Sequence, residues 1–188
     1  MVYGLVGKSG SGKTTAAEVF AEYGFFVVDC DVVAAQMLNE DETIRAQLAE
    51  QFGRDVLTDG GIDRPLLASR AFSYRNSLDK INSITHPPIV ERLRELCEGR
   101  EKVLLDAPTL FESGAYKLCD SIIALIASDA LCEKRLLNRD GVSADTIRRR
   151  LSMQKSEKYL RENADIIIES CEDYEEFRRR IEDVAKTL

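Results

Sequence analysis

Residues 7–14 read Gly7-Lys8-Ser9-Gly10-Ser11-Gly12-Lys13-Thr14, a G-x-x-x-x-G-K-[ST] phosphate loop with each required residue in place. No other pattern in the chain constrains its fold as tightly. The glycines let the backbone turn so that successive N–H groups converge on one anion. Lys13 supplies a point charge for β- and γ-phosphates, and the Thr14 hydroxyl can ligate Mg²⁺. The helix that must follow directs its positive end at the same phosphates. The flanks agree: Val2-Tyr3-Gly4-Leu5-Val6 is a β-prone run, and 14–23 reads as a helix with Ala17, Val19, Phe20 and Tyr23 available for burial. A plain Gly/Ser turn asks for neither flank. The segment therefore reads as a purine nucleoside triphosphate site, with Gly10, Ser11, Gly12, Lys13, Thr14 and Thr15 around the phosphates.

Composition narrows the class of ligand. At 188 residues the chain is the size of one domain with a substantial core, and its 44% hydrophobic content is that of an ordinary globular protein. A net charge of −7 argues against a general nucleic-acid or membrane-surface binder. Any polyanionic substrate must be met by local clusters of Lys and Arg. No apolar run approaches the ~20 residues of a membrane span, and Met1-Val2-Tyr3-Gly4 lacks a signal-peptide flank, so a cytoplasmic protein is expected. The cysteines Cys30, Cys97, Cys119, Cys132 and Cys171 are scattered and contain no C-x-x-C pair, as small buried hydrophobes would be. Neither a disulfide nor a zinc site is expected. His86 is the single histidine, which excludes a histidine-rich metal site, and no nucleophile elbow accompanies it.

Strand and helix patterns alternate along the chain. The runs Phe25–Val28, Val103–Leu105, Ile122–Ile126 and Ile166–Ile168 are short and continuously apolar, as strands buried on both faces should be. Ile44, Leu48 and Phe52 mark an amphipathic helix, and Tyr174, Phe177, Ile181 and Val184 form the stripe of a closing one. Thr58-Asp59-Gly60-Gly61 is a turn, Pro65 suits a helical first turn, and His86-Pro87-Pro88 is expected to break the chain before a further helix. Together these predict an α/β fold, a parallel five-stranded sheet flanked by helices. The expected core is 1–31, 101–136 and 162–188. Residues 32–100 hold several helices without a clear strand, which suggests an inserted acceptor-binding lobe. The arginine-rich stretch, with a lid placed at about 137–161, has the composition of a cover for phosphates.

Further carboxylates and arginines sit where chemistry would use them. Asp106 ends an apolar run and is placed to hold Mg²⁺ or its waters; the plainer alternative is an aspartate capping the next turn. Asp29-Cys30-Asp31 also ends a strand, and strand alternation would send both carboxylates to one side. One could accept the proton of an attacking hydroxyl while the other orients it, against a reading as solvated turn residues. Arg135 and Arg139 are neighbours on a helix, and Arg139 suits a charge-stabilising role over a γ-phosphate. Arg148-Arg149-Arg150 has the bland alternative of a solvated helix face.

Over nearly its whole length the chain resembles the dephospho-coenzyme A kinases. The resemblance is carried by the loop 7–15, Val28-Asp29-Cys30-Asp31, Asp63-Arg64 with Phe72, Thr85-His86-Pro87, the run from Asp106 to Glu112, Arg135 with Arg139, Arg150 to Gln154, and Ala164-Asp165. It implies phosphoryl transfer from ATP, with Mg²⁺, to the ribose 3′-hydroxyl of dephospho-coenzyme A. It further implies Asp31 as general base, Asp29, Arg64 and His86 near the acceptor, and Arg139 reaching the ATP phosphates. Lys13 shares the catalytic work, and Thr14 and Asp106 are the metal residues. Partners beyond the small-molecule substrate are not expected, neither nucleic acid nor membrane; a monomer or small homo-oligomer is. Lys8-Ser9 stands where Gly-Ile is common, Cys30 where alanine is usual, Thr109 where leucine is, and Ile168-Glu169-Ser170 where Ile-x-Asn-Asn/Gly is typical. The alternatives are a nucleoside or nucleoside-monophosphate kinase, which shares loop, sheet and lid, and a nucleotide-dependent switch, against which stands the lack of an N-K-x-D motif.

Overall fold

The computed structural model describes residues 1–73 and 77–188, with the side chains of 71–73 not described; the Phe72 side chain named above thus lies outside the described residues. In chain order the elements are β1 (Val2–Gly7), α1 (Lys13–Glu22), β2 (Phe26–Asp29), α2 (Cys30–Glu40), α3 (Glu42–Phe52), β3 (Leu57–Thr58), β4 (Gly61–Ile62), α4 (Arg64–Ser73) and α5 (Ser77–Cys97). They continue with β5 (Val103–Asp106), α6 (Leu110–Ser113), β6 (Ser121–Ile126), α7 (Asp129–Asp140), α8 (Ala144–Ser152), α9 (Glu157–Asn163), β7 (Ile166–Glu169) and α10 (Tyr174–Thr187). The fold is α/β, with a parallel five-stranded sheet of order β2-β5-β1-β6-β7 flanked by helices. No helix among the described residues is long and apolar enough to cross a membrane.

Contacts divide the chain into two compact units. The first comprises Met1–Val28, Gly99–Leu110 and Tyr116–Leu188. Its central strand β1 pairs with β5 and β6, so Leu5 lies between Asp106 on one side and Ile123 on the other. Val103, Leu104 and Leu105 are wholly buried, which explains why β5 reads as a continuous apolar run. Each such leucine contributes about 1.5–3 kcal/mol of burial. Phe20 and Phe25 meet edge-on at 4.9 Å beneath α1, and Phe177, Ile181 and Ala185 of α10 close the same core. Tyr174, expected in that stripe, is exposed at the first turn of α10; Ala185 is the buried residue at the helix's other end.

The second unit comprises Asp29–Glu98 and Phe111–Ala115. Its core is built from Ile44, Leu48 and Phe52 on α3 together with Val56, Ile62 and Leu67. Two expectations change here. A short antiparallel hairpin, β3 with β4, stands where no strand was expected; Asp59-Gly60 is its two-residue connection, and at two residues a strand is too short to show an alternation. The prolines do not break the chain either: α5 runs through Pro87 and Pro88 as one helix from Ser77 to Cys97. Adjacent prolines remove only two N–H donors from a ladder that is long on both sides. Thr85 and Leu93, one on each side of the pair, are both buried and anchor the helix across it.

Candidate active site

The phosphate loop leaves β1 at Gly7 and enters α1 at Lys13. Gly10 and Gly12 adopt φ values of 82° and 103°, a region that side chains rarely enter. Space is equally restrictive: a Cβ on Gly12 would lie 2.6 Å from the Phe177 ring, and one on Gly10 would lie 2.9 Å from the Cys132 carbonyl oxygen. The loop is closed by the Ser11 N–H donating to the Lys8 carbonyl at 3.0 Å, and the helix begins with the Ala16 N–H donating to Gly12 at 3.0 Å. Lys13 Nζ donates to the Gly7 carbonyl at 2.9 Å, which folds its charge back on the loop. Ser11 is fully buried; the Thr14 side chain, in the first turn of the helix, is exposed, and Thr15 is half-buried. Asp106 ends β5 opposite Leu5, one strand over from the loop's root, and is half-buried.

Residues 129–154 hold the outer arc of this loop. Lys8 Nζ pairs with Asp129 Oδ1 at 2.5 Å. The Ser9 N–H donates to Gln154 Oε1 at 2.9 Å, and Gln154 Nε2 donates to Ser9 Oγ at 3.0 Å. Arg135 on α7 donates to the Gly10 carbonyl at 3.0 Å, to Ser170 Oγ at 2.9 Å and to the Cys171 carbonyl at 2.6 Å. Its guanidinium also lies 5.7 Å from the centre of the Phe177 ring. Arg135 thus joins the loop to the turn after β7. Asp129 was not singled out in the sequence, and Gln154 entered only as the end of the run from Arg150 that belongs to the family resemblance, with no partner assigned to it.

Arg139, in the last turn of α7, donates through Nε to Asp140 Oδ1 at 2.6 Å, and Arg150 Nη1 donates to Asp140 Oδ2 at 2.8 Å. The Arg139 guanidinium, with Arg150 beside it, holds the Asp140 carboxyl below the usual carboxylate range. Arg148 of the triplet pairs with Glu133 at 2.9 Å, and Arg149 is exposed.

Four of the expected residues belong to the second unit. Asp29 is the last residue of β2 and caps α2, its Oδ1 accepting the Val32 N–H at 3.0 Å. Cys30 and Asp31 are already helical, so strand alternation does not relate the two carboxylates; the strand passes straight into a helix, and Asp31 is exposed in its first turn. Arg64 opens α4 and donates to the Ala35 carbonyl of α2 at 3.1 Å. His86 is half-buried on α5, and burial pushes its imidazole below the usual range, opposed by a hydrogen bond to the Glu112 backbone and by the Glu112 charge.

A glycine nest between the first strand and first helix of a parallel sheet of this order, backed by an arginine-bearing helical arm, defines a P-loop kinase fold. The family model CoaE, dephospho-CoA kinase, matches residues 1–176. The chain is 32% identical over 191 residues to the dephospho-CoA kinase of Fusobacterium nucleatum subsp. nucleatum, covering 100% of this chain and 98% of that one. The chain belongs to the dephospho-CoA kinase family. Among solved structures it is similar to TT1252 from Thermus thermophilus, with a TM-score of 0.82 at 27% identity over 100% of this chain and 97% of that one. It is also similar to the dephospho-CoA kinase of Campylobacter jejuni, with a TM-score of 0.72 at 25% identity over 98% and 95%.

Proposed function

We infer that the protein transfers the γ-phosphoryl group of ATP to the ribose 3′-hydroxyl of dephospho-coenzyme A, giving coenzyme A and ADP, the last step of coenzyme A synthesis. The observation that carries this reading is the family match over residues 1–176, on a chain whose phosphate loop is complete and closed.

In this reading the loop amides from Gly10 to Thr15 and the Lys13 ammonium hold the β- and γ-phosphates. The Thr14 hydroxyl and the Asp106 carboxylate are hard oxygen donors of the kind Mg²⁺ takes, and Thr14 is open to solvent at the helix start, so the residues fit that ion. Bound there, Mg²⁺ neutralises charge on the phosphate oxygens. Asp31 accepts the proton of the 3′-hydroxyl as that oxygen bonds to the γ-phosphorus; the β–γ bridging P–O bond breaks, and its electron pair leaves with ADP. Arg139 exchanges Asp140 for the transferring phosphoryl group. The lobe of about 32–100, with Arg64 and His86, receives the acceptor together with Asp29 just before it, and the segment of about 137–161 closes as the lid. The protein works in the cytoplasm on small molecules, as a monomer or small homo-oligomer.

The test is ADP release from Mg-ATP with dephospho-coenzyme A, AMP, CMP, adenosine or no acceptor. Fast release with dephospho-coenzyme A alone, giving a product one phosphate heavier, is the expected result. Rapid turnover of AMP or CMP would instead assign a nucleoside-monophosphate kinase. ATP binding without turnover of any acceptor would assign a nucleotide switch.

A further inference from the structure

We propose that Gln154 is a positioning residue for the nucleotide phosphates, acting through Ser9, with the Lys8–Asp129 pair as its second tie. The proposal rests on the reading of the loop as the ATP site. Neither residue is assigned to phosphate contact in that reading; both shape the loop that makes the contact.

The Gln154 amide makes two bonds to one residue, accepting from the Ser9 N–H at 2.9 Å and donating to Ser9 Oγ at 3.0 Å. The amide carries an acceptor and a donor on adjacent arms, so it meets the Ser9 N–H and Oγ together. Gln154 is itself fixed at the end of α8, where its N–H donates to the Leu151 carbonyl at 3.2 Å and that of Met153 to the Arg149 carbonyl at 3.3 Å. The preceding loop residue is tied as well: Lys8 pairs with Asp129 at 2.5 Å, and its side chain is only 13% exposed. The extra positive charge in this loop is paired with Asp129. Arg135 holds the next residue through the Gly10 carbonyl at 3.0 Å. Lys8, Ser9 and Gly10 are consecutive, and the three side chains that hold them come from α7 and from the second residue past α8.

The physical consequence is preorganisation. A nest binds phosphate well only when its amides are already aimed, because ordering them during binding subtracts from affinity. Ser9 lies directly before the positive-φ residue Gly10, so its orientation sets how the following amides enter the nest. Any movement of the end of α8 that carries Gln154 away breaks both Ser9 bonds at once. The loop's order and the position of α8, which bears Arg148–Arg150, are thereby linked.

The experiment compares wild type, Ser9→Ala, Gln154→Ala and the double variant by calorimetric titration with Mg-ADP, alongside kinetics with dephospho-coenzyme A and thermal unfolding. Gln154→Ala should weaken ADP binding and raise the KM for ATP about tenfold, the worth of two ordinary hydrogen bonds net of water. The kcat at saturating ATP and the KM for dephospho-coenzyme A should change less than about twofold. Ser9→Ala keeps the backbone bond and should lose about threefold. The double variant should be no weaker than Gln154→Ala alone, because both changes act on one clamp. An ADP affinity in Gln154→Ala within twofold of wild type would overturn the proposal, as would fully additive losses, or a fall in kcat and melting temperature with KM unmoved. Wild-type protein that binds no ADP would overturn the nucleotide site, and the clamp with it.

Discussion

Asp140 and Arg139 are bonded side by side at the end of α7, Arg139 Nε donating to Asp140 Oδ1 at 2.6 Å, and Arg150 shares the same carboxylate at 2.8 Å. The carboxylate gathers two guanidiniums that would otherwise repel, one from the last turn of α7 and one from the last turn of α8. The Arg139 side chain is 63% exposed, so it contributes little to the core. Its replacement should therefore separate chemistry from stability. Arg139→Ala is expected to lower kcat by about 10²–10³-fold, as loss of a group stabilising transition-state charge does. The unfolding midpoint should stay where it is. Steady-state kinetics together with a thermal melt check this, and a kcat near wild type would remove Arg139 from the transition state.

Asp31 is an exposed carboxylate in the first turn of α2, one residue past the buried Cys30. Asp31→Asn keeps the shape and removes the proton acceptor. Turnover should fall by about 10²–10⁴-fold, the usual worth of a general base, with the KM for ATP nearly unchanged. Asp29 behaves differently, because its carboxylate caps α2 through the Val32 N–H. Asp29→Ala should cost about 1 kcal/mol of stability whatever it does to the rate. A denaturant titration of both variants separates the two aspartates.

The sheet and the phosphate loop were readable from sequence because each is specified locally. Val103–Leu105 must be buried on both faces to be so apolar, and the glycines of the loop have no other use at that spacing. What was not readable depends on partners distant in sequence. Nothing near Gln154 announces that its amide meets Ser9, 145 residues away. Asp165 is a similar case: it belongs to the family pattern, and in the structure its carboxylate accepts the Ile122 N–H at 2.7 Å while its own N–H donates to the Ile122 carbonyl at 2.9 Å. It tethers the start of β7 to β6, a task that no spacing rule encodes. The prolines of α5 misled for the opposite reason. A local rule about helix breaking was overridden by the packing of Thr85 and Leu93 on either side of them.

Gly12 combines two constraints, a φ of 103° and a Cβ position 2.6 Å from the Phe177 ring. Gly12→Ala should be destabilising by about 1–3 kcal/mol from backbone strain alone. It should also weaken Mg-ADP binding, since the loop must shift to clear the ring. Phe177→Leu would relieve the steric part but not the strain. In the double variant ADP affinity should recover in part while the loss of stability persists, which calorimetry and a denaturant titration report separately. Full recovery of both would show that φ was never the constraint.

His86 gives the protein a pH dependence of determined sign. Burial is the larger influence on its imidazole and lowers its pKa in the folded state, while the Glu112 backbone and charge pull the other way. In the unfolded chain the group titrates near its ordinary value of about 6.5. Between those two values the unfolded state binds more protons than the folded one, so protonation favours unfolding. The contribution of neutral His86 is thus complete above about pH 6.5 and is lost as pH falls through the lowered folded-state value. His86→Gln cannot titrate and should flatten that part of the profile. Melting temperatures of both proteins from pH 5 to 8 test this: the wild type should lose ground relative to His86→Gln below about pH 6.5, and parallel profiles would show that burial does not govern the imidazole.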